Sequence, residues 1–62
     1  MTVYRCLPEK LADEGLFRVV VLEAEYDGGP WSVFNILTSD STRELDDDIK
    51  LWSSEKLNWE AV

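Results

Sequence analysis

The side chains of this sequence that carry reactive chemistry are one thiol, Cys6, and thirteen carboxylates, with no imidazole to serve them. A cysteine nucleophile needs a base or a positive dipole to lower its pKa. Arg5 is the sequence neighbour, but adjacent residues of a strand point to opposite faces. Cys6 therefore reads as a small hydrophobe within a strand. Glu23 and Glu25 have the spacing that puts two carboxylates on one strand face, the raw material of general acid and base pairs. No partner group accompanies them, so they read as a solvated face. Asp46, Asp47 and Asp48 are consecutive, whereas a calcium loop needs alternating ligands and a central glycine. One cysteine and no histidine leave zinc without a ligand set. Gly28-Gly29 follows acidic residues and precedes no Lys-Ser/Thr pair, which argues against a phosphate loop. The expectation is a chain that is not an enzyme, with no catalytic residues, no cofactor and no metal.

What remains is binding through surfaces. Thirteen acidic against six basic residues give a formal net charge of -7. That balance disfavours direct nucleic-acid binding and anionic membranes, both of which depend on Lys and Arg meeting phosphates. It favours a protein partner with a basic surface, or solubility alone. Two acidic areas stand out: Glu23, Glu25 and Asp27 on the hairpin, and Asp40, Glu44, Asp47 and Asp48 at a helix start. Spaced carboxylates on a small rigid domain can imitate the phosphates of DNA and occupy a basic groove. Trp31, beside the turn, and Trp59, near the end, are the candidate aromatic anchors.

The elements that must position these groups follow from the pattern. Thr2 to Leu7 predicts a short strand, stopped by Pro8. Pro8 to Glu14 suits one or two helical turns or a plain turn, with Gly15 as the stop. Leu16 to Tyr26 predicts the clearest strand. Val20, Leu22, Ala24 and Tyr26 share one face, and Glu23 and Glu25 the other. Its first half is apolar on both faces, so a central position is expected. Asp27-Gly28-Gly29-Pro30 predicts a turn of four or five residues. Trp31 to Thr38 predicts the return strand, with Phe34 and Ile36 buried and Trp31 and Val33 on the other side. Ser41 and Glu44 match a capping box, and Leu45, Ile49 and Trp52 trace one side of a helix from Thr42 to Trp52. Asp46 and Lys50 are spaced for an ion pair. Residues 54–62 fit either helix or edge strand.

Sixty-two residues allow one domain with a thin core. Three tryptophans, two tyrosines and two phenylalanines enlarge its apolar content. The predicted fold is α+β: a small two-layer domain with an antiparallel or mixed three-stranded sheet, a central β-hairpin and one main C-terminal helix. The lone thiol and the absence of a leader-like or membrane-length apolar run predict a cytoplasmic protein. The expected function is a small acidic protein-binding modulator or inhibitor, with a DNA mimic as its narrower form. Size and charge suit a virally or mobile-element-encoded inhibitor. The rival is a structural subunit or homo-oligomer that uses the apolar Phe17-Val19-Val21 face as its interface.

Overall fold

The computed structural model describes residues 1–62. Three strands, β1 (Val3–Leu11), β2 (Leu16–Ala24) and β3 (Ser32–Ser39), form an antiparallel sheet in the order β1-β2-β3. A helix, α1 (Thr42–Asp48), follows and tightens into a 3₁₀ turn at Ile49–Leu51. The expected two-layer α+β domain is thus present, and its sheet is purely antiparallel. No helix is long and apolar enough to cross a membrane.

β2 is the central strand, and from Leu16 to Leu22 it is apolar on both faces apart from Arg18. Its odd-numbered side chains meet the helix. Val19 and Val21 are fully buried against Leu45 and Ile49, and Cys6, Phe17, Leu37, Trp52, Leu57 and Trp59 pack around them. Burying each of those four central side chains is worth about 1.5–3 kcal/mol, which is most of what a thin core can supply. Ser41 caps α1: its hydroxyl accepts from the Glu44 amide at 3.3 Å, so the capping-box reading of these residues holds on the Ser41 side. Glu44 turns to Ser39 instead, accepting from its hydroxyl at 3.2 Å.

Several expectations are corrected. Pro8 does not stop the first strand, and no helical turn follows it. β1 runs through Pro8 to Leu11 and turns at residues 12–15, with Gly15 at φ 64°. The reason is position: β1 is an edge strand, where alternate amides lie outside the ladder and proline is tolerated. β2 ends at Ala24 rather than Tyr26, and residues 25–31 form a longer loop than expected. The helix is α-helical only to Asp48, and the tail holds neither a long helix nor a strand but a 3₁₀ turn at Trp59–Ala61. Lys50 pairs with Asp47 at 3.0 Å, not with Asp46.

The largest correction concerns β3. A bulge sets Val21 opposite Asn35 but Leu22 opposite Val33, leaving Phe34 as the extra residue. A bulge re-aims the side chain it adds. Phe34 turns to the helix side, where its ring lies 5.4 Å from Tyr4 and 5.8 Å from Trp52. It remains exposed there, and Ile36, expected to be buried, is 52% exposed on the opposite face.

That opposite face has no covering layer. Val20 and Leu22 of β2 stand there between Arg5 and Leu7 of β1 and Val33 and Ile36 of β3. The Phe17-Val19-Val21 face, expected as an interface, is instead the one the helix covers. Ile49→Ala should cost about 2–5 kcal/mol, read as a lowered urea midpoint. A loss under about 0.5 kcal/mol would mean that the helix does not anchor the core.

Candidate functional site

The hairpin end of the sheet brings together half of the candidate residues, Glu23, Glu25, Asp27 and Trp31. β2 delivers Glu23 and Ala24 to its end, and the chain then loops back to β3. Gly28 sits at φ 85°, in the left-handed region that glycine adopts without strain. The Gly29 amide donates to the Tyr26 carbonyl at 3.0 Å. A Cβ on Gly29 would stand 3.1 Å from the Tyr26 ring and carbonyl, so a side chain here would displace the ring by a few tenths of an ångström. Pro30 then fixes the path into Trp31.

The result is a shallow cleft lined by Glu23, Glu25, Tyr26, Pro30 and Trp31, with Ala24 at its base. Ala24 is almost fully buried, while Tyr26 and Trp31 are 57% and 40% exposed. No basic residue lines the cleft, and neither Glu23 nor Glu25 forms an ion pair. Asp27 lies in the same loop, one residue beyond Tyr26. Carboxylates and aromatic rings lining one cleft are the chemistry by which a cationic side chain is recognised. The carboxylates supply charge, and an aromatic face adds about 0.5–1 kcal/mol of cation–π attraction at an exposed site.

The second acidic area is arranged differently. Glu44 is held at the Ser39 end of β3, about 23 Å along the strand from Ser32 and the cleft. Asp47 is paired with Lys50, whose hydrogen bond and charge hold its carboxyl below the usual range. Asp46 accepts the Trp59 indole N–H at 3.1 Å. The groove beside α1 sets Asp46, Asp47 and Glu55 among Arg43, Lys50 and Lys56, a balanced set of charges. Asp48 and the far-exposed Asp40 stand at opposite ends of the helix. No three acidic or thiol side chains converge as metal ligands.

Trp59 is engaged inside the domain. Its ring meets Phe17 edge-on at 5.4 Å, and its N–H is taken by Asp46, so it pins the tail to the core. The sequence pattern places Tyr26 in the strand and Pro30 in the turn, and so marks neither as a cleft residue. The Gly28-Gly29 pair was the available clue, since a ring can lie across glycine. Comparison with protein-family models, with curated proteins and with solved structures finds no match to this chain.

Cys6 is half-buried against the core, and desolvation pushes its thiol above the ordinary value. A raised folded-state pKa means that the folded chain keeps a proton the unfolded chain releases. Stability is therefore unaffected by this group below about 9 and falls as pH rises beyond it. Iodoacetamide at pH 8 should label the folded chain several-fold more slowly than the urea-unfolded chain. Equal rates would show that the thiol is not sheltered.

Proposed function

We propose that this chain is a non-catalytic protein-binding module that captures a basic segment of a partner in the cleft between β2 and β3. The observation that supports it is the convergence of Glu23, Glu25, Tyr26 and Trp31 in one cleft with no basic residue among its lining. Glu25 and the two rings are exposed and require no rearrangement to receive an arginine or lysine side chain. Trp31 is the anchor, the carboxylates steer the encounter, and Asp27 extends the negative field at the rim. Occupying a basic surface in this way makes the chain a modulator or inhibitor of its partner. The lone unpaired thiol suits action in the cytoplasm.

Mimicry of DNA is not part of this reading. It would ask Glu44, Asp47 and Asp48 to continue the hairpin's negative patch, whereas Glu44 is held at the Ser39 end of β3, far from the cleft, and Asp47 is paired with Lys50. At the hairpin, Glu23, Glu25 and Asp27 stand with no basic residue among them.

A short synthetic peptide alternating arginine and glycine is the probe. In an NMR titration its binding should shift the amides of Glu23, Glu25, Tyr26 and Trp31 saturably and weaken as salt rises. Glu23→Gln combined with Glu25→Gln should weaken binding about tenfold or more, and Trp31→Ala by a similar factor. Shifts spread evenly over all acidic residues, or none at the loop, would defeat the proposal.

A further inference from the structure

The sheet face turned away from the helix is built in rows. Arg5, Leu22 and Val33 form one row, Leu7, Val20 and Ile36 the next, and Glu9, Arg18 and Thr38 the third. Val33 and Ile36 are 61% and 52% exposed, and nothing within the chain covers them. On β1, Arg5 and Glu9 stand two residues either side of Leu7, and so at equal distances from the middle row. Arg5 has no ion-pair partner in the chain, whereas Glu9 accepts from Arg18 at 2.7 Å.

We infer that this face is a symmetric dimer interface whose occupant is a second copy of the chain. A two-fold axis lying across the strands over Leu7, Val20 and Ile36 stacks the middle row on itself. The same operation exchanges the outer rows, so Arg5 of each copy meets Glu9 of the other. An isologous interface needs this self-complementarity, in which residue i meets j and j meets i. The strands of the two sheets then run nearly antiparallel, in the aligned packing that twisted sheets favour.

Charge also selects the second copy. Molecules that each carry a net charge of -7 repel over most of their surfaces. Glu9 and Glu23 are the only acidic residues in the three strands, and Glu23 pairs across from Tyr4 on the helix side. The open face thus carries two arginines and one glutamate, and is where the acidic repulsion between two copies is least. Strand spacing and rise give it a footprint of roughly 14 Å by 26 Å. That is small for a specific interface, so the dimer should be weak, with a dissociation constant in the micromolar range or above.

The test is sedimentation equilibrium of the full chain from about 10 μM to 1 mM. The wild type should pass from monomer to dimer across that range. Ile36→Asp should remain monomeric with an unchanged circular dichroism spectrum, and if it fails to fold, Val33→Asp reads the same contact. Arg5→Glu should weaken the dimer at least about tenfold, because it sets like charges together twice. Lys10→Glu makes the same charge change on the helix-side face and should weaken it far less. A wild type that stays monomeric, a dimer that survives Ile36→Asp or Val33→Asp, or equal effects of Arg5→Glu and Lys10→Glu would overturn the inference. The cleft variants Glu23→Gln and Glu25→Gln should leave the dimer intact, so the two sites fail or stand separately.

Discussion

One short helix can cover one face of a three-stranded sheet, and β2 is apolar on both. That mismatch governs the rest of the molecule. Leu45 and Ile49 seat on Val19 and Val21, and every other packed side chain gathers around those four. Burial on that side leaves Val20 and Leu22 on the other, with Leu7, Val33 and Ile36 beside them. None of the three strands, α1 or the two 3₁₀ turns forms a third layer over that face. The core is thin, since small domains bury a smaller fraction of their surface.

Charge is distributed in step with this architecture. In the groove beside α1 acidic and basic side chains balance, through Lys50 on Asp47 and through Arg43 and Lys56 nearby, while Asp40, Glu44 and Asp48 have no ion-pair partner. At the hairpin loop the acids have no such partners and stand beside two exposed rings. On the uncovered face, acids are nearly absent. Total charge, which dominates a reading of composition, therefore says less than where the compensating cations fall. The same net charge leaves an acidic, aromatic-lined cleft at one end of the sheet and a nearly acid-free apolar surface across its back.

Much of the candidate site was legible in the sequence. Glu23, Glu25 and Trp31 flank an unmistakable turn, and proximity along the chain becomes proximity in space when a hairpin closes. Asp47, Asp48 and Trp59 were less legible. Their roles depend on which neighbour each side chain finds after packing: Lys50 at three residues' distance for Asp47, and Asp46 thirteen residues away for Trp59. Tyr26 was hidden because its β-favouring identity argues for a strand, while the buried end at Ala24 and the close approach to Gly29 place it in the loop.

Local chemistry was enough to determine that three strands form, that a turn joins β2 to β3 and that Ser41 caps the helix, though not where β1 and β2 end, because each rests on near-neighbour periodicity or on a backbone preference of single residues. The order β1-β2-β3 followed from the same pattern, through a central strand with two apolar faces. Tertiary structure alone decided which of those faces the helix takes, since Val19 and Val20 are equally apolar and only the position of α1 separates them. It alone also decided that Pro8 could lie within an edge strand, and that a bulge would shift Phe34 to one side and leave Ile36 on the other. A period-two pattern cannot anticipate an inserted residue, because one added position reverses every side chain beyond it.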